Sequence, residues 1–251
     1  MGRDDMPDRH HPLAAAFMRC WLVYQQATNN QTTPRPRDST TVSAPGANAD
    51  RVLIFGSGPA VGWGVLTHEL ALPGALARAL THKTGRGTEI ELVADMRITV
   101  RNAATILGSI DSSRFDAIVI VLGANDAVRM IPLSIWHDRL VAVLDHLGQK
   151  SARPSRTFVT GMPPIESVPG FKTRVGTIVA AHAAQMNTVT AELCTSSAET
   201  KYVPLPAVGP TNDLGIRNGQ TYRLWADTIA DIVAPQLDIV RLRTETRPRA
   251  V

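Results

Sequence analysis

The chain has 251 residues, 44% of them hydrophobic and 19% charged, an ordinary globular balance that supports one domain with a sizeable core. Its net charge of +4 gathers at "RPR" (35–37) and "RLRTETRPRA" (241–250), and only 5% of residues are aromatic, which argues against a basic, stacking face for nucleic acid. Cys20 and Cys194 stand far apart with no Cys-x-x-Cys and no histidine beside them, a pattern that suggests neither a disulfide framework nor a zinc site and fits a reducing cytoplasm.

The first element is the apolar stretch Pro12 to Tyr24. It contains Arg19 and, at about 13 residues, is shorter than the roughly 20 that a membrane span needs. It has no small-residue cleavage site behind it, so residues 1–28 are expected to form an N-terminal helix docked on the domain, with peripheral membrane contact or export as alternatives. Residues 29–50, "NNQTTPRPRDSTTVSAPGANAD", are polar, carry three prolines and show no apolar periodicity, and predict a linker. From Arg51 on, short apolar runs alternate with amphipathic stretches. Val52–Phe55, Ile90–Val93, Ala117–Leu122, Phe158–Val159 and Tyr202–Leu205 predict strands, several of them apolar on both faces. Helical patterns lie between them at about 68–83, 100–109, 133–148 and 173–193, with a last one at 220–236. Strict alternation predicts an α/β domain over 51–236, a three-layer α/β/α sandwich around a parallel sheet of about five strands, followed by a basic tail at 237–251.

In such sheets ligands bind at the carboxyl ends of the strands, so the turns there are the candidates for chemistry. The first, "FGSGPAVGWG", offers Gly56, Ser57 and Gly58. Its glycines match neither usual phosphate-binding spacing, so they serve either a sharp turn or the mount of a nucleophilic serine. The third strand runs into "LGANDA", where Asn125 either offers its amide to a developing oxyanion or joins Asp126 in capping a helix. The last turn, "PTNDLGIRNGQTYRLWAD", places Asp213 ahead of the final helix.

Taken in this order, "VLIFGSGPAVGWGV", "VIVLGANDA", "TGMPP" and "TNDLGIRNGQTYRLWAD" resemble the blocks of the SGNH hydrolase superfamily, the GDSL esterases and lipases, over about residues 51–236. The resemblance implies a flavodoxin-like α/β/α domain with no metal and no cofactor. Gly123 and Asn125 match the family's Gly-x-Asn-Asp, whose asparagine is an oxyanion-hole donor. Three other family positions depart from the pattern. The family's Gly-Asp-Ser, held in register by the downstream "GWG", places Ser57 on the aspartate and Gly58 on the nucleophile. The oxyanion glycine of the second block falls near Arg97, which either enters the pocket or points to solvent. The family's Asp-x-x-His places Asp213 on the aspartate and Ile216 on the histidine, and Ile216 cannot accept a proton.

A serine without a positioned base is a poor nucleophile, and loss of triad members costs several orders of magnitude in rate. The expected function is therefore a degenerate hydrolase-family site, in which Ser57, Arg97, Asn125 and Asp213 line a pocket for a small acyl-ester-like or anionic ligand, or a partner surface. The alternative is an active ester hydrolase or acyl transferase that uses Ser57 with a non-standard base. His68, 11 residues past Ser57, is the histidine that best fits that role. A further expectation is that Arg97 and Arg217 converge on an anion. Oligomeric state does not follow from these residues.

Overall fold

The structure is a computed structural model that describes residues 34–150, 156–164, 174–208 and 218–245. The strands are β1 (Thr41–Ala44), β2 (Asp50–Gly56), β3 (Thr88–Ala94), β4 (Ala117–Val121), β5 (Arg156–Thr160) and β6 (Thr200–Val203). They form one sheet in the order β1-β3-β2-β4-β5-β6. Strands β2 to β6 pair in parallel, and β1 lies antiparallel on β3. The helices are α1 (Leu72–Thr84), α2 (Val100–Gly108), α3 (Ala124–Val128), α4 (Leu133–Lys150), α5 (Arg174–Thr195) and α6 (Gly219–Glu245).

Two-residue alternation along fully buried strands divides the core between the two sheet faces. Val52 and Ile54 of β2 and Ala117, Val119 and Val121 of β4 join one apolar cluster with Leu76 and Leu80 of α1 and Trp225, Ile229 and Val233 of α6. Leu53 and Phe55, with Ile118 and Ile120, join the other, with Leu107 of α2, Trp136 and Leu140 of α4 and Met186 of α5. The indole N–H groups find acceptors inside: Trp136 donates to Thr190 Oγ1 and Trp225 to the Pro206 carbonyl. Among the described residues no helix is long and apolar enough to cross a membrane.

The sheet has six strands where five were expected, because part of the expected linker 29–50 is strand β1. Val42 and Ala44 are buried while Thr41 and Ser43 face solvent, a period too short to stand out in a polar run flanked by prolines. The last helix also outruns its expected end at 236 and continues to Glu245, so the stretch expected as a tail from 237 begins as helix. Pro235 sits inside it and removes one helical hydrogen bond, a cost offset by burial of Leu237 and Val240 beyond it. The expected helix at 1–28 lies outside the described residues.

The prolonged α6 also closes an ion network. Asp50, fully buried at the start of β2, accepts from Arg86 Nε at 2.8 Å and lies 3.4 Å from Arg241 of α6. Arg86 reaches Asp238 of α6 with Nη1 at 2.7 Å. Burial pushes the Asp50 carboxyl up from its ordinary value, and the two guanidiniums pull it back.

Candidate functional site

The working edge is made by the carboxyl ends of β2, β3 and β4. At the end of β2, Gly56 has φ +145°, and a Cβ built there would stand 1.9 Å from the Val121 carbonyl oxygen. Only glycine lets β2 approach β4 this closely, and the Ser57 N–H then donates to that same carbonyl at 2.8 Å. Ser57 itself is extended and 1% exposed, and its Oγ has no hydrogen-bond partner among the described residues. Gly58 follows at φ +58° and opens a 3₁₀ turn over Gly58–Val61, with room for a Cβ only at 3.2 Å from Ala124 Cβ. The first turn is thus seated directly on the start of α3.

Strand β4 delivers Gly123, Asn125 and Asp126 to the same place, and the last two fasten the neighbouring turn. The Asn125 amide donates to the carbonyls of Met96 and Ile98, at 2.7 and 3.4 Å, in the turn after β3. The Asp126 carboxylate accepts from the Val100 N–H, at 3.3 and 3.2 Å from its two oxygens. It therefore caps α2, the helix after β3, rather than its own helix. Burial pushes the Asp126 carboxyl up to about 6, against the opposing pull of the Val100 amide and of Arg129 and Arg101.

The sign of that shift gives a first prediction. A carboxyl raised in the folded state binds more protons folded than unfolded, so its contribution is favourable below the unfolded value of 3.8 and is lost as pH rises to about 6. Across that window the protein is expected to lose about 3 kcal/mol from this group. Urea melts between pH 4 and 7 should show this fall, and Asp126→Asn should flatten it. An unchanged slope in the variant would assign the effect elsewhere.

Arg97 points away from the edge. Its side chain is 89% exposed and grips both oxygens of Asp95, at 3.0 and 2.9 Å. That bond holds the Asp95 carboxyl below its usual range. Arg97 therefore neither enters the pocket nor presents a free fork to an anion. Asp213, Ile216 and Arg217 lie outside the described residues.

His68 lies in the turn before α1 rather than on the helix expected from 68. It is buried, and its backbone N–H donates to the Asp38 carboxylate at 3.0 and 3.1 Å. Its Nδ1 also stands 2.8 Å from Asp38 Oδ1, an ion-pair distance without hydrogen-bond alignment. Asp38 belongs to a strap, residues 34–38, that sequence reasoning assigned to the linker. The Pro34 carbonyl accepts from Gly64 N–H at 2.9 Å, the Arg35 guanidinium lies 4.7 Å from the Trp63 ring centre, and Pro36 rests on Gly62. Trp63 in turn donates from Nε1 to Met96 Sδ at 3.1 Å, while its carbonyl accepts from the Tyr222 hydroxyl at 2.8 Å. The signal for the strap was present in "PRPRD" (34–38): two prolines stiffen the backbone, and Arg35 between them and Asp38 after them serve as anchors.

Among the described residues no cluster of His, Cys, Asp and Glu could hold a metal ion. A groove of about 400 Å³ lies at the opposite ends of β5 and β6, lined by Leu144, Leu193, Thr157 and Thr200 among others, and shares no residue with the working edge.

This strand order, with helices on both faces and three turns meeting at one edge, has counterparts among solved structures. A carbohydrate acetylesterase family member from Sinorhizobium meliloti matches with a TM-score of 0.57 and 15% identity, over 75% of this chain and 99% of that one. The inhibitor-bound aryl esterase of M. smegmatis matches at 0.56 and 19%, over 74% and 99%. A member of the lipolytic G-D-S-L family from Veillonella parvula matches at 0.53 and 12%, over 72% and 97%. The fold is SGNH hydrolase-like. The turns after β2, β3 and β4, which carry Ser57, Met96 to Ile98 and Asn125, lie side by side at this edge. No protein-family model matches the chain, and no curated protein matches it in sequence.

Proposed function

We propose that this SGNH-like domain uses the inherited pocket to bind a small acyl-ester-like or anionic ligand, or a partner surface, and does not cleave esters efficiently. The observation that carries the reading is the state of Ser57. Ser57 is 1% exposed, and its buried Oγ has no hydrogen-bond partner among the described residues to take its proton. A serine attacks only when a base lies within about 3 Å of it. Asn125 supports the same reading, because both carbonyls it donates to are backbone acceptors of the neighbouring turn, so its amide is committed to structure. An oxyanion donor aimed at the reacting oxygen is worth roughly 3 to 4 kcal/mol, and a committed one supplies little of that.

The test is hydrolysis of a short-chain nitrophenyl ester. The rate is expected to stay within about tenfold of buffer and to be the same in Ser57→Ala, a difference of roughly 1.4 kcal/mol at most in barrier. A rate far above buffer that vanishes in Ser57→Ala would overturn the reading.

One observation favours the active alternative. Asp38 stands 2.8 Å from His68 Nδ1, on the side from which an acid orients a histidine base. On that reading a fluorophosphonate would label Ser57, and His68→Ala would abolish the adduct. Folded protein that takes up no label removes this alternative.

A further inference from the structure

The groove at the amino ends of β5 and β6 opens between the C-terminal halves of α4 and α5, which supply Leu144 and Leu193 as apolar walls. Thr157 and Thr200, register partners across the two strands, lie at its base. Both are more than nine-tenths buried, at 7% and 6% exposed. Their backbone N–H groups donate to the Glu199 and Ser197 carbonyls, at 3.0 and 3.4 Å, but neither hydroxyl has a hydrogen-bond partner among the described residues. Buried polar groups are bonded as a rule, so two unpartnered hydroxyls lining one groove point to a guest that bonds them.

The charge around the groove selects that guest. Asp145 of α4 and Glu199, just ahead of β6, line it, and neither carboxylate has an ion-pair or hydrogen-bond partner among the described residues. Leu193 and Ser196 bring the C-terminus of the 22-residue α5 to the same place, where aligned peptide dipoles add partial negative charge. The described lining contains no lysine, arginine or histidine. Arg156, next to Thr157, faces the other side of the sheet by strand alternation and donates to the Ala198 carbonyl. Such a groove repels an anion and attracts a cation. No metal-binding cluster forms among the described residues, and leucine walls suit hydrocarbon rather than a hydrated ion. At about 400 Å³ the groove stands at the small end of ligand sites, with room for a compact organic molecule.

We propose that this groove is a second binding site, for a small primary amine with a hydrocarbon or aromatic body. The ammonium donates to Asp145, Glu199 and the threonine hydroxyls, and the body rests on Leu144 and Leu193. The groove shares no residue with the working edge, so the proposal stands apart from whether that edge cleaves esters.

Benzylamine is the probe, with benzyl alcohol as its neutral counterpart and benzoate as its anionic one, each titrated into the full chain at neutral pH and low salt and followed by ligand-observed NMR. A ligand of this size supports a Kd of about 1 mM. The alcohol and the benzoate are expected to bind about tenfold more weakly, and the double variant Asp145→Asn, Glu199→Gln should weaken benzylamine by about the same factor. Both positions are exposed, so these changes do not threaten folding. Gly148→Phe is an independent block. A Cβ at Gly148, which lines the groove, meets nothing within 4 Å, so the ring enters open space without strain, and benzylamine binding should vanish while Tm holds. Equal binding of amine and alcohol, full affinity in either variant, or no saturable binding of benzylamine would each overturn the proposal.

Discussion

Asp50→Ala is expected to destabilise the protein by about 3–5 kcal/mol, read as a lower urea midpoint with an unchanged slope. As a lone charge, Asp50 is costly to bury, which is why its carboxyl is pushed up. The cost of losing it arises from what remains. Arg86, itself largely buried, keeps Asp238 but loses the 2.8 Å bond of its Nε, and Arg241 loses the carboxylate that holds it near the start of β2. In a domain of this size the melting temperature should fall on the order of 10 °C. Asp50→Asn should cost less, since its amide oxygen still accepts from Arg86 Nε. If alanine and asparagine at this position were equally mild, the network would be surface decoration around a neutral group.

A still larger loss is expected of Gly56→Ala. The new methyl would stand 1.9 Å from the Val121 carbonyl oxygen and 2.6 Å from its carbon, and φ +145° is a conformation that alanine rarely adopts. Nothing flexible can yield there, because both partners are backbone of central strands. The strands must part where Ser57 N–H meets Val121, which displaces Ser57 and Asn125 together. The expected destabilisation is at least about 4 kcal/mol, among the largest that single substitutions produce. Gly58→Ala is the matched control. There φ is +58° and the nearest contact is 3.2 Å to a side-chain methyl, so the cost should be only about 1–2 kcal/mol. Soluble yield and chemical denaturation separate the two outcomes, and a Gly56→Ala variant within 1 kcal/mol of the wild type would show that the strand end can relax.

The two substitutions have different meanings for function. Asp50 lies at the opposite end of β2 from Ser57, so its loss should lower stability without reshaping the working edge. Gly56 is part of that edge, and any ligand bound there should be lost along with stability. Comparing ligand binding in the two variants below their melting temperatures would separate a site effect from a global one.

Much of this molecule was legible in its sequence because the relevant signals are local. The central strands β2, β4 and β5 are short, almost wholly buried runs that need no alternation, β3 also stands where its run lies, and β6 begins two residues ahead of the expected Tyr202–Leu205. The helices between them follow their apolar periodicity, and the turns after β2 and β4 were marked by glycines and by the Asn-Asp pair. β1 was hidden because four residues give too short a period, and the stretch of α6 beyond 236 was hidden because Pro235 reads as a terminator. Tertiary contacts overrode both signals: β1 is held by its ladder to β3, and the far end of α6 by Leu237, Val240 and the Asp50 network.

The site divides in the same way. The sequence by itself determined which residue types reach the working edge, including a serine between glycines after β2 and an asparagine after β4. Only the tertiary structure decided what those groups do there. Whether the Asn125 amide faces a ligand or the Met96 carbonyl, whether Arg97 enters the pocket or grips Asp95, and whether Asp126 caps its own helix or α2 are choices between partners tens of residues apart. Hydrogen bonds are directional and fall off within a fraction of an ångström, so spacing along the chain cannot choose among them. The packed arrangement of three neighbouring strand ends can.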